Sequence, residues 1–351
     1  YSSMLLANSM ENWFTFVQED YNFSYLLFGT LILKTSWFQS IYLIRLCNVM
    51  LLINTMIIVY FFVRRFLSIR SSNIYWILLF IGINGMITWT AIRNLKDTLF
   101  LYALVVFLYL LFDLVYKKKF LITRIAIMVV ACLVLIDIRQ WFVYLLVVLV
   151  ATIIMGSLLI KKRYFSFIII SMGLITGLII FGQSGLETLS IYTKTYSNSY
   201  GDVQLTQIIG GNIFSLPLSM GRFILGPGPI RGIFGSDAFL TFTTTGNILI
   251  TLGSLWWWFV LPVFSLSLLS IKHFKQNYVL FVIIMFYWAT YSYAYAGSGD
   301  TRLRAVLYVL CAIYTLPFLE KTKMKNFKLK YLALLVPLVL VGTYFSYITL
   351  N

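Results

Sequence analysis

Three short segments combine arginine with aspartate inside an otherwise apolar chain: Arg93-Asn-Leu-Lys96-Asp97, Asp137-Ile-Arg139 and Gly299-Asp300-Thr-Arg302-Leu-Arg304. Guanidinium groups so placed suit the capture of a phosphate or pyrophosphate, whose oxygens match their paired N–H donors. Arg302 and Arg304 follow Asp300 at the start of a predicted helix, where the positive end of the helix dipole disfavours cations. A bound anion reverses that penalty, because free backbone N–H groups and both side chains would point at it. The blander reading is that Asp300 caps the helix and pairs with Arg302, while Arg304 snorkels to a lipid phosphate. Arg222 and Arg231 lie on a long connecting segment, and Arg45 sits near the start of an apolar run, where an ionisable residue is a functional candidate by default. Several arginines converging at one membrane depth would make an anion site.

The carboxylates available as a base are Asp97, Asp137, Glu187, Asp202, Asp237 and Asp300, with Glu19-Asp20 near the start. An acid beside a guanidinium is a weak base, so Asp97 and Asp300 are better cast as holders of arginine geometry. That leaves Glu187, Asp202 and Asp237, of which Asp237 is favoured because it follows Arg231 and a Gly-Pro turn. Tyr192, Tyr196 and Tyr200 recur every fourth residue, as do Tyr287, Tyr291 and Tyr295. On helices each set forms one stripe, which is either an aromatic belt at the membrane interface or a platform on which sugar rings stack. His273 is the sole histidine and is expected to be a plain residue of a cytoplasmic turn, which leaves no histidine for proton transfer on the outer side. No outer segment shows the spacing of a metal site, so neither a metal nor another cofactor is expected.

These residues must be positioned by membrane helices. Of the 351 residues 61% are hydrophobic and 11% charged, and the mean hydropathy is +0.91, values outside the range of soluble domains. The fold class predicted is an all-α polytopic integral membrane protein with about ten transmembrane helices. The apolar runs lie near 41–63, 74–92, 98–116, 120–137, 141–160, 164–181, 246–270, 278–296, 303–319 and 331–349. Clusters of pure Lys/Arg, such as Arg64-Arg65, Lys117-Lys118-Lys119, Lys161-Lys162-Arg163, Lys272 with Lys275, and Lys321 to Lys330, mark cytoplasmic turns. The Arg/Asp segments then fall at the opposite, outer ends. A net charge of +16 is largely this topology signal, attracts anionic membrane lipid, and does not indicate nucleic acid. Cys47, Cys132 and Cys311 fall inside predicted spans without metal-ligand spacing and read as core residues.

The chain divides into an N-terminal outer segment with the first membrane helices (1–181), a long outer-face loop (182–245) and C-terminal membrane helices (246–351). The loop is expected to form short helices at the interface, with Gly226-Pro-Gly-Pro229 forcing a turn, in the manner of a lid or cradle. Residues 1–40 are placed outside. Leu5 to Asp20 and Tyr21 to Lys34 read as an outer helix and a partial span, without a decision between them. Because the chain opens on Tyr1, at least one upstream span is expected, giving 11 or more in a full chain.

Four elements together resemble the Wzy-type polymerases of bacterial O-antigens and capsules. They are the Arg93-x-x-Lys96-Asp97 turn, Arg139 at the opening of a span, Arg222-Phe-Ile-Leu-Gly-Pro-Gly-Pro229 in the long loop, and Gly299-Asp300-x-Arg302-x-Arg304. The resemblance covers most of the chain in layout. It implies a metal-independent glycosyltransferase of the bacterial inner membrane whose site faces the periplasm or cell exterior. Its donor and acceptor would both be undecaprenyl-pyrophosphate-linked oligosaccharides, and a chain-length regulator protein is a further partner that it admits. Lys96 and the arginines 93, 139, 222, 231, 302 and 304 would hold the pyrophosphate, Asp237, Asp300 and Asp97 would be the catalytic carboxylates, and Tyr192, Tyr196, Tyr200 and Tyr295 would stack on sugars. O-antigen ligase, a GT-C-class transferase using lipid phosphosugars with Glu19-Asp20 as base, and a flippase of lipid-linked oligosaccharide are the alternatives. Ligases carry an outer-loop histidine that is lacking here. A flippase would need an alternately open cavity rather than a one-sided site.

Overall fold

The computed structural model describes residues 2–18, 22–37, 39–67, 69, 74–75, 79, 81–93, 96–117, 122–160, 162, 166, 168–172, 187, 189–191, 193–194, 216–226, 244–295, 301–321 and 324–350. Every regular element among them is a helix, as apolar runs lacking strand alternation require. Six of these helices are long and apolar enough to cross a bilayer, which makes this a membrane-embedded protein. The six stretches are Ile41–Leu67, Lys96–Tyr116, Phe142–Leu159, Thr245–Leu269, Leu303–Lys321 and Phe327–Tyr344.

The other four expected spans are not among these six. The run 120–137 forms a helix over Ile122–Ile138, whose 17 residues stand at the lower limit of a spanning length. The run 278–296 belongs to a helix that starts earlier, Ile271–Ala294, and its polar Asn277, Thr290 and Ser292 dilute its apolar character. Within 74–92 the chain leaves helical geometry at Ile83 and Asn84, and a short helix, Gly85–Ile92, begins where the Asn84 Oδ1 accepts the Met86 N–H at 3.0 Å. Of 164–181 only 166 and 168–172 are described.

In chain order the helices are α1 (Ser2–Ser9), α2 (Trp13–Gln18), α3 (Phe23–Thr35), α4 (Ile41–Phe62), α5 (Gly85–Ile92), α6 (Lys96–Lys117), α7 (Ile122–Ile138), α8 (Phe142–Ile160), α9 (Leu216–Leu225), α10 (Thr244–Leu269), α11 (Ile271–Ala294), α12 (Thr301–Lys321) and α13 (Met324–Leu350). The N-terminal stretch is thus two short helices followed by α3, which at about 1.5 Å per residue is too short to span.

The chain forms two compact units that do not follow the three segments expected from its order. One comprises Tyr1–Phe62 with Thr88–Val143, and the other Val63–Ile87 with Tyr144–Asn351. In the first, α6 packs against α4 and α7, and α3 packs against α1, α4 and α7. Met4, Ala7, Val17, Leu26, Leu33 and Ile44 form the buried apolar seam beneath the N-terminal helices. The α6–α7 hairpin is closed at its far end by the pair Arg124–Asp113, whose carboxylate is buried.

In the second unit α12 is the axis, packed against α10 and α11, while α13 packs on α10 and α9 on α11. Of the apolar stretch Leu303–Lys321, 83% is buried, against 6% for Phe327–Tyr344. The outer position of α13 matches a helix that meets lipid on most of its faces. Glycine sets the closest approach in this unit: a Cβ on Gly253 would lie 2.4 Å from the Met86 backbone nitrogen, and one on Gly85 1.9 Å from the Leu249 carbonyl oxygen.

His273 is not a loop residue. It lies in the first turn of α11, buried, with Nε2 2.9 Å from the Tyr314 carbonyl oxygen and its ring edge-on to Tyr314 and Phe318. A neutral ring with the proton on Nε2 satisfies that carbonyl and lets Nδ1 accept from Asn277 Nδ2 at 3.3 Å. Burial lowers its pKa below the ordinary value, the hydrogen bond to Tyr314 opposes that, and Lys321 adds to it. Asn277 itself breaks the helix, with φ −128° and ψ 28°. Among the cysteines only Cys311 is fully buried; Cys47 and Cys132 are half-buried, and all three are free thiols.

Candidate functional site

Among the described residues, one contact in each unit joins two of the motifs expected to do chemistry. In the first unit the contact is ionic. Arg139, just past the end of α7, donates through Nη2 to Asp97 Oδ1 at 2.6 Å, and both side chains are largely buried. Asp97 lies in the first turn of α6, where the positive helix end favours a carboxylate. Its partner is 42 positions away rather than the adjacent Lys96. Lys96 donates to the Asn22 side chain. Asp137 accepts the Ser24 backbone N–H at 2.7 Å and so caps α3 from outside, a role that Asn22, at the cap position, does not fill with its own side chain. Asn48, fully buried on α4, donates to the Tyr25 hydroxyl at 3.5 Å.

Arg93 ends α5 and is exposed, with its backbone N–H on the Trp89 carbonyl. Arg45, on α4, lies over the Tyr42 ring at 5.4 Å. Neither approaches the Asp97–Arg139 pair through a described hydrogen bond or ion pair.

In the second unit the contact is between a cation and a backbone carbonyl. Arg304, in the first turn of α12, is 0% exposed, so it does not snorkel. Its Nη2 reaches the Arg222 carbonyl oxygen at 3.4 Å, and its guanidinium lies 5.7 Å from the Phe223 ring centre. The same carbonyl accepts the Gly226 N–H at 3.1 Å. A Cβ on Gly226 would come 3.0 Å from Arg304 Nη2 and 3.2 Å from Nη1, so glycine leaves the room that this contact uses. The segment expected as short interfacial helices thus contains α9, which tolerates Pro217 because proline fits the first helical turn. Ser219, Phe223 and Ile224 form its buried face, and Arg222 is half-buried beside them.

Two tryptophans complete the arrangement. Trp257 Nε1 donates to the Ile224 carbonyl at 2.7 Å, and Trp288 Nε1 donates to the Met220 carbonyl at 3.0 Å. Trp257 stands in the run Trp256-Trp257-Trp258, and nothing in that run marks which indole meets a partner.

The tyrosine stripe of α11 exists as its spacing predicts, but inside the unit. Tyr287 and Tyr291 stack at 4.2 Å, Tyr291 and Tyr295 follow at 5.6 Å, and all three are buried. Tyr291 also lies 6.5 Å from Phe223, and Tyr295, buried beside Tyr291, offers no open face to a sugar in this conformation. Arg302 lies in the first turn of α12, with its side chain outside the described residues, and Glu187 is exposed. Tyr192, Tyr196, Tyr200, Asp202, Arg231, Asp237 and Asp300, together with Glu19 and Asp20, lie outside the described residues altogether. No family model, curated protein or solved structure matches this chain.

Proposed function

We propose that this protein is a glycosyltransferase that polymerises undecaprenyl-pyrophosphate-linked oligosaccharide repeat units into a surface polysaccharide at the outer face of the bacterial cytoplasmic membrane. The observation that carries the reading is the pairing of its motifs. Of the four elements behind the resemblance, the first meets the second through Asp97 and Arg139 in one unit, and Arg222 with Gly226 meets Arg304 in the other.

In the reaction, the bond between the anomeric carbon of the growing chain and its pyrophosphate breaks, and the leaving pyrophosphate takes the bonding pair. An acceptor hydroxyl of the next lipid-linked unit forms the new bond and gives up its proton to a carboxylate or to water. Guanidinium groups placed where charge grows on the leaving group supply electrostatic stabilisation, while binding of both lipid-linked partners supplies proximity. Asp97, engaged with Arg139, fits the holding of an arginine better than the taking of a proton. Asp237 remains the favoured base.

Deletion of the gene tests the reading. A lost polymerase leaves single repeat units on the carrier and on the surface acceptor, whereas a lost flippase leaves none at the surface and a lost ligase leaves long chains on the carrier. Normal chain length after deletion would remove the proposal.

A further inference from the structure

The polar contacts of α9 concentrate on its carbonyl end, and their donors come from three different helices. Trp288 on α11 holds the Met220 carbonyl, Arg304 on α12 holds that of Arg222, and Trp257 on α10 holds that of Ile224. The Arg222 carbonyl already accepts the Gly226 N–H, so Arg304 is a second donor to it, and all three carbonyls lie toward the negative end of the α9 dipole. A guanidinium and an indole N–H are well matched to them, and Phe223 adds its ring to the Arg304 guanidinium. Arg304 is fully buried in making this contact, and Arg222, half-buried, supplies its backbone carbonyl to it.

We infer that Arg304, Trp257 and Trp288 form a clasp that positions α9, so that Arg304 serves the reaction through the placement of the Arg222 side chain and Arg222 is the residue that contacts the pyrophosphate. The assignment of pyrophosphate rests on the proposed function; the clasp rests on the described bonds alone. Arg304 is then a positioning residue, and the requirement on it is a cationic donor of the right reach rather than a bidentate fork. A carbonyl accepts from an ammonium as readily as from a guanidinium, so lysine should serve at this position. Lysine would not serve where two parallel bonds to a phosphate are needed.

The test uses the purified full chain in lipid nanodiscs, with two measurements on the same preparations. Amide exchange over residues 216–226 reads the clasp without any ligand. R304A and W288F should speed exchange there by about tenfold, the scale set by losing one donor to a buried acceptor. R304K should stay within about threefold of the parent, and R222Q, which keeps the backbone carbonyl, should leave exchange unchanged. Binding of undecaprenyl pyrophosphate reads the consequence: R222Q and R304A should each weaken it by about tenfold or more, and R304K by no more than about threefold. If R304K binds as poorly as R304A while residues 216–226 stay protected, Arg304 touches the anion directly and the inference is overturned. Unchanged exchange in both R304A and W288F overturns it as well. A parent protein that does not bind undecaprenyl pyrophosphate would count against the proposed function, and the exchange measurement would still decide the clasp.

Discussion

Arg139 and Arg304 make an instructive pair. Both belong to short Arg/Asp motifs next to helix ends, both are buried or nearly so, and both reach across the fold to another motif. Arg139 meets a carboxylate and Arg304 a carbonyl. The first contact cancels one charge against another and, once buried, is costly to break from either side. The second sets a cation against the partial charge of a helix end, a weaker attraction whose main effect is geometric. The same residue type, drawn from the same kind of motif, therefore acts as half of an ion pair in one unit and as a helix fastener in the other.

The largest effect is expected where the ion pair is halved. D97A or R139A leaves an uncompensated buried charge and should cost about 3–5 kcal/mol of stability, read as a lower unfolding midpoint of the purified protein. The neutral double variant D97N/R139Q should cost clearly less than the sum of its single variants. Additive losses would mean that the two side chains do not act as a pair, and the contrast with Arg304 would lapse.

R304A comes next, at about 1.5–3 kcal/mol, the range for hydrogen bonds made by a charged group. R304K should recover most of this loss. K96A, which removes the contact to Asn22, should lower the midpoint by less than either half of the ion pair, because Lys96 is only partly buried. A finer probe of the carbonyl contact is G226A, which inserts a methyl about 3 Å from the guanidinium nitrogens. It should cost about 1 kcal/mol, as mild overpacking does, and R304K should relieve it because the slimmer ammonium leaves more room. A cost that is the same in the parent and in the R304K background would place the strain elsewhere.

The smallest effect involves neither pair and serves as a reference within the second unit. His273 lies ahead of the expected span 278–296 and is held neutral by burial, so its folded-state pKa lies below its unfolded value of 6.5. The unfolded chain therefore takes up this proton first, and the stability that neutral His273 contributes is full above pH 6.5 and is lost as pH falls through the lowered value. Thermal midpoints measured from about pH 7.5 downward should fall, and H273Q should flatten that slope. Midpoints that rise on acidification would contradict the neutral ring.

Much of the architecture was legible because it depends on local chemistry. Six apolar runs form spanning helices where hydropathy put them, since length and apolarity suffice to predict a helix that hides its backbone from lipid. The stripe Tyr287, Tyr291 and Tyr295 appears as the helical repeat requires. The break at Ile83 and Asn84 was less legible: both residues lie within an apolar run, and the asparagine that recaps the chain is ordinary by type. His273 was misread because its neighbours Lys272 and Lys275 look like a turn, while the groups that bury it, Tyr314 and Phe318, lie far along the chain.

The sequence by itself determined that this is a helical membrane protein, that its cations cluster in short motifs, and that one aromatic stripe runs along α11. All of these follow from residue type and spacing within a single element. Only the tertiary structure decided which group each cation meets. Asp137 is two residues from Arg139, but it caps α3 at Ser24 while Arg139 turns to Asp97. Arg304 has a described bond to a carbonyl 82 positions away, a partner that nothing in its own motif announces. Tyr295, spaced to present a ring face, is sealed against Tyr291 by packing. Partner choice is a matter of burial and direction: residues two apart in the chain do not share a helix face, and a buried cation takes the acceptor that the fold brings within reach.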